Sequence, residues 1–380
     1  MSPTLPAARP AARPYYPALT GLRAVTCLMV FSKHFRPVYT PEWLNLIIEQ
    51  FHMTMSMFFL LSGFVMATRY QSDVAFTRPW WRRYLWRRLA RVYPIFLLLN
   101  TSVLLYVYWP VPPGQAGHTA LLVFLSETLL RGFSSTLKYV GLPQAWSLTA
   151  EECFYFSLPV LLVLWQRYGY RGAAAFAGAV LAIGLGLTAI CRGHEALHGF
   201  FGSFHHLFNF TFFGRVLEFT MGVGLARWWG GRPTASVAGW PWRTTLSLAL
   251  MLAGGVVLVR LNSPFDWYDG NLKPATILLN VVFYPVCMTL LLAGLLTERS
   301  WLRAVLGTRL LDAMGKRSYS FYLMQIGLLS IWWRNEFGWR QHVGWQLLVT
   351  MVFSELLYRL VEEPARRWIL ARTLPRGEWS

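Results

Sequence analysis

Apolar residues fill this chain in long blocks, and charge gathers in the gaps between them. Ten such blocks fall at 17–36, 52–69, 90–109, 147–165, 172–191, 207–227, 244–260, 275–297, 318–333 and 343–360. About 20 apolar residues in a helix cross the ~30 Å hydrocarbon core of a bilayer. The pattern therefore predicts an all-α, polytopic membrane protein with about ten transmembrane helices in one bundle. A further stretch, 118–134, is apolar but short and contains Glu127 and Arg131. It is expected to lie in the interface or to enter the membrane only in part. The start, MSPTLPAARPAARP, is rich in Pro, Ala and Arg and predicts a disordered tail over residues 1–16. The helical domain is expected over 17–368 and a second tail over 369–380, with no appended extracytoplasmic domain.

Composition supports the membrane reading. The 380 residues are 55% hydrophobic and only 14% charged, against roughly 25% charge in soluble domains. The formal net charge of +18 raises nucleic acid as a partner, but basic loops between apolar spans explain it through the positive-inside rule. With the N-terminus inside and ten spans, 25 of the 35 Lys and Arg are counted with the inside segments and nine with the outside ones, and Arg215 alone is counted with neither. Both termini are thus expected in the cytoplasm, in a multi-pass protein of the cell (inner) membrane. Cys27, Cys153, Cys191 and Cys287 lie in apolar stretches without metal-type spacing, so neither a disulfide nor a metal is expected. The first apolar block is interrupted by charge and lacks the small-residue cleavage pattern of a signal peptide.

The ionisable residues inside the blocks carry the candidate chemistry, because burying them in a membrane is costly. Arg23 and His34 occupy one block, eleven residues apart. At 100° per residue they return to within about 20° of one face, ~16 Å apart along the axis. Either this face is functional, or the arginine snorkels at one headgroup layer and the histidine rests at the other. In the expected topology WSLTAEECFYF, Trp146 to Phe156, opens the fourth span at the depth of His34. A histidine level with a carboxylate is the minimum equipment for general-base work. Thr149 and Glu152 fit a T-x-x-E capping box, which leaves Glu151 to point inward, one turn from Ser147 and Tyr155.

Arg87, Arg88 and Arg91 form a basic cluster where the third span begins. It suits a ligand with several phosphates, or equally an orientation signal resting on anionic lipid. Arg215 and Glu218, three residues apart, are spaced for an intrahelical pair. Ser62 and Gly63, in the middle of the second span, read as small residues that permit close helix packing. Trp80–Trp81 and Trp332–Trp333 read as interfacial aromatics.

The ordered segments GLRAVTCLMVFSKH (Gly21 to His34), FFLLSGF (Phe58 to Phe64) and RRLARVYP (Arg87 to Pro94) continue with WSLTAEECFY (Trp146 to Tyr155). FGRVLEFTMG (Phe213 to Gly222), GKRSYSFYL (Gly315 to Leu323) and VEEPARRW (Val361 to Trp368) complete the series. In this order the chain resembles the acyltransferase-3 family of integral membrane acyltransferases. The resemblance implies transfer of an acyl group, commonly acetyl, from cytoplasmic acyl-CoA to a hydroxyl of an extracytoplasmic or lipid-linked glycan. It implies His34 and Glu151 as the catalytic pair, with Arg23, Arg88 and Arg91 on the donor side. Membrane lipid, acyl-CoA and a saccharide acceptor are the expected partners. Two positions depart from the family pattern: Thr20 stands before GLR, and Gln325 follows SYSFYL. Acylation of a small secondary metabolite is the alternative within enzymes. A transporter using the same charges is the alternative outside them, although no internal repeat with paired broken helices is evident.

Overall fold

The computed structural model describes residues 15–37, 39–231, 239–261, 274–338 and 342–374. Residues 1–14 and 375–380 of the tails expected at 1–16 and 369–380 lie outside the described residues. Every regular element among the described residues is helical, apart from one antiparallel bridge between Ser134 and Phe200. In chain order the α-helices are α1 Pro17–His34, α2 Glu42–Glu49, α3 Thr54–Tyr70, α4 Arg78–Tyr108, α5 Ala116–Glu127 and α6 Trp146–Cys191. Then follow α7 Phe204–Phe210, α8 Phe212–Gly230, α9 Trp242–Leu261, α10 Pro274–Leu278, α11 Tyr284–Thr297 and α12 Trp301–Leu306. The last are α13 Arg309–Lys316, α14 Ser318–Met324, α15 Leu328–Phe337, α16 Val343–Leu357 and α17 Glu363–Thr373. The π-helical turns Leu279–Phe283 and Tyr358–Glu362 bridge α10 to α11 and α16 to α17.

Among the described residues five helical segments are long and apolar enough to cross a membrane: Glu42–Tyr70, Arg78–Tyr108, Pro143–Cys191, Trp242–Leu261 and Pro274–Thr297. The third holds two of the expected spans. It breaks at Gly169, whose φ of 59° and ψ of −141° no helix contains. The chain folds back there: a Cβ on Gly172 would lie 2.3 Å from the Leu164 carbonyl oxygen. A straight helix separates such residues by about 12 Å. The other expected spans are interrupted or charged. α1 carries Arg23 and Lys33, α8 carries Arg215, Glu218 and Arg227, and the block at 318–333 is split at Gln325–Gly327. The stretch 118–134 contains a helix of only 12 residues, ~18 Å long and too short to cross. α17 runs to Thr373, five residues into the stretch read as a tail.

α3 packs along α8 more extensively than any other pair of helices. Gly63 makes this possible, since a Cβ there would sit 2.3 Å from the Phe219 carbonyl oxygen and 3.2 Å from Gly222 Cα. Gly63→Ala should therefore lower the melting temperature in detergent by forcing the two helices apart, at about 1–3 kcal/mol for such overpacking. The Arg215–Glu218 pair forms as the spacing predicts, at 3.1 Å in the buried seam, and Arg215 also donates to Ser56 Oγ at 3.0 Å. At the split between α14 and α15, Gln144 Nε2 donates to the carbonyls of Tyr322, Leu323 and Ile326 at 3.2, 2.8 and 2.8 Å. Trp80 is not an interfacial ring: it is buried and stacks on Tyr84, with centroids 4.9 Å apart.

Candidate active site

α3 presents Met55, Phe58, Ser62, Met66 and Arg69 in one stripe, at the i, i+3, i+4, i+7 spacing of a helix face. That stripe faces a cavity of about 200 Å³ closed by α1, α4, α6 and α14. Among the described residues its lining holds four arginines, Arg23, Arg69, Arg88 and Arg91, and a single carboxylate, Glu151. Neighbouring positions on α3 divide the work. Gly63 turns to α8 while Ser62, 100° around the helix, turns to the cavity and donates its hydroxyl to Glu151 Oε1 at 2.9 Å. The Tyr155 hydroxyl donates to the same carboxylate oxygen from one turn along α6.

Arg88 is held by aromatic faces and not by acids. Its guanidinium lies 5.8 Å from the Tyr70 ring centroid and 5.6 Å from that of Tyr155, and Nη1 donates to Met66 Sδ at 2.9 Å. Such contacts orient a cation without neutralising it. Arg88 Nε is buried with no hydrogen-bond partner among the described residues. Arg23 and Arg91 have no carboxylate within ion-pair distance among the described residues. This end of the cavity has positive charge left over, which an anion would satisfy. On the α14 wall, Tyr319 donates to the Val92 carbonyl at 2.7 Å, and the Tyr322 hydroxyl lies 2.9 Å from Ser147 Oγ.

The structure thus brings together Arg23, Arg88, Arg91 and Glu151 of the expected site residues, and it does not bring His34 to them. His34 ends α1 with an exposed ring. The charges acting on it come from Lys33, Arg36 and Glu49, and Glu49 already pairs with Arg36 at 2.5 Å and Lys33 at 3.7 Å. One turn below, the Phe31 ring meets Phe321 at 6.0 Å, next to Tyr322 on the cavity's rim. From that rim, seven residues of α3 separate Met55 from Ser62. His34 therefore stands roughly 15 Å along the bundle axis from Ser62.

Glu152 also differs from expectation. α6 begins at Trp146 after a 3-10 turn, so Thr149 is inside the helix and no capping box forms. Thr149 instead donates to the Leu129 carbonyl, and Glu152 accepts from Tyr93 of α4 at 2.5 Å. Gln325 is buried at the α14 break, outside the cavity lining. Ser62 and Arg69 were not singled out as site residues by sequence. The available signal was two polar residues seven apart on one face of an otherwise apolar span.

A family model described as an acyltransferase domain matches residues 16–358 of the chain. The chain belongs to the acyltransferase-3 family. Within that family it is 25% identical to a Staphylococcus aureus protein named as a candidate O-acetyltransferase, over 93% of this chain and 58% of the relative. It is 25% identical to the acyltransferase MdmB of Streptomyces mycarofaciens, over 94% of this chain and 93% of the relative. A Bacillus subtilis protein named as a candidate peptidoglycan O-acetyltransferase is 24% identical over 93% of this chain and 55% of its own. This acyltransferase-family chain thus spans a little over half the length of the Staphylococcus relative. No solved structure matches it.

Proposed function

We propose that the chain moves an acyl group, acetyl in the first instance, from acyl-CoA to a hydroxyl of a glycan or lipid-linked saccharide. One observation carries this reading: the cavity joins a surplus of arginine charge to a hydroxyl–carboxylate pair. Arg23, Arg88 and Arg91 hold the phosphates of the CoA donor through charge-assisted bonds. Its thioester extends toward Glu151, which handles the proton of the reacting hydroxyl. His34, exposed beyond the opposite rim, receives the acceptor. The glycan assignment draws on the relative whose name specifies peptidoglycan. Purified protein in detergent should release CoA from acetyl-CoA in step with acetylation of added saccharide. Solute flux without CoA turnover would establish a transporter in its place.

The proposal includes an orientation: ten spans, both termini in the cytoplasm, the arginine end of the cavity inward and His34 outward. Thr136, exposed in the segment after α5, then faces the outside. Thr136→Cys should react with a membrane-impermeant thiol reagent in intact cells. Labelling only after lysis would invert the arrangement.

A further inference from the structure

Ser62 is the hydroxyl in the cavity best placed to act as a nucleophile. Its Oγ lies 2.9 Å from Glu151 Oε1, and Glu151 is held in turn by the Tyr155 hydroxyl. A nucleophile within hydrogen-bond reach of a base, with the base oriented by a third group, is the arrangement that activates an alcohol. The other hydroxyl on this carboxylate, Tyr155, is buried, whereas Ser62 is partly open to the cavity. Ser147 and Tyr319 direct their hydroxyls to the backbone carbonyls of Gln144 and Val92, at 3.0 and 2.7 Å. Close packing does not require Ser62, since Gly63 makes the approach to α8.

We infer that Ser62 carries the acyl group as a covalent ester between donor and acceptor. The inference rests on the acyltransferase reading above and adds an intermediate to it. In the first step Ser62 Oγ attacks the thioester carbonyl and Glu151 takes its proton. The C–S bond breaks, and the departing sulfur recovers that proton from Glu151 to leave as the free thiol of CoA. In the second step the acceptor hydroxyl attacks the ester carbonyl and gives its proton to Glu151. Glu151 returns the proton to Ser62 Oγ as the C–O bond to serine breaks. Charge on each tetrahedral intermediate is met by Arg88 or Arg91 across the cavity.

The full chain, purified in detergent, is incubated with acetyl-CoA, with and without added saccharide, quenched in acid and digested, and the peptide containing Ser62 is analysed by mass spectrometry. The expected result is an acetyl ester on Ser62. With saccharide present it should accumulate several-fold in His34→Ala, where the acceptor is poorly engaged, over wild type, and it should be missing from Ser62→Ala and Glu151→Gln. Ser62→Cys should hold the acetyl as a thioester, which neutral hydroxylamine releases far faster than the serine ester. A purely structural serine would not change the chemistry of the adduct. Acetyl on Tyr155, or wild-type transfer in Ser62→Ala, overturns the inference. So does saccharide acetylation without any enzyme-bound acetyl in wild type and His34→Ala, and that outcome leaves the acyltransferase reading standing. Failure of wild type to consume acetyl-CoA removes the reading itself.

Discussion

Glu151→Gln is expected to reduce acyl transfer by a factor of 100 or more, while Glu152→Gln keeps most of it. The two side chains are adjacent in sequence and differ in what they face. Glu151 lines the cavity and accepts from both Ser62 and Tyr155; Glu152 meets Tyr93 between α6 and α4. An amide oxygen still accepts those hydrogen bonds, so both variants retain their packing. What Gln cannot do is take a proton, and general-base catalysis contributes about 10²- to 10⁴-fold. The check is initial velocity at saturating acetyl-CoA, with membrane levels of each variant matched. A silent Glu151→Gln beside a dead Glu152→Gln would move the chemistry to the α4–α6 seam.

The second large effect is on donor affinity. Arg88→Gln should raise the KM for acetyl-CoA tenfold or more, and the Arg88→Gln/Arg91→Gln double variant should raise it further. A hydrogen bond to a charged group contributes about 1.5–3 kcal/mol. Among the described residues Arg88 is held over Tyr70 and Tyr155 with no ion pair to a carboxylate, so its charge is available to a ligand. The readout is KM against kcat at fixed acceptor concentration. If acetyl-CoA affinity is unchanged in a correctly inserted double variant, these arginines serve as lipid anchors.

Much of this was legible in the chain itself. Hydrophobic blocks located the helices, and the Arg215–Glu218 spacing foretold a buried pair that formed. Arg88, Arg91, Arg23 and Glu151, separated by up to 128 positions, converge on one cavity. The sequence was less informative where local and tertiary rules compete. The T-x-x-E pattern at Thr149 is a valid local cap signal, but the helix starts at Trp146 and both side chains find tertiary partners. Helix geometry put His34 ~16 Å along α1 from Arg23, and the expected topology put it level with Glu151, whereas the cavity takes in Glu151 and leaves His34 out. His34 overshoots the cavity because α1 extends one turn beyond the Phe31–Phe321 contact. Ser62 was grouped with Gly63 as a small packing residue, although neighbours on a helix point 100° apart.

The Gln144 amide also fixes one wall of the cavity. A helix that stops at Met324 leaves carbonyls which apolar surroundings cannot satisfy. One nitrogen from the turn before α6 serves two of them, those of Tyr322 and Leu323, and the Ile326 carbonyl in the break. The start of α6 and the end of α14 are thereby stitched into one corner, and the Tyr322–Ser147 bond reinforces it. On the opposite side α14 meets α1 and α3 through ring contacts, Phe31 with Phe321 and Phe58 with Tyr322, and through sulfur contacts: Cys27 Sγ donates to the Ser318 carbonyl and the Tyr322 hydroxyl to Met55 Sδ. The mouth is therefore tied by polar bonds along α6–α14 and lined by apolar rings along α1–α3, and His34 stands at the end of the apolar side.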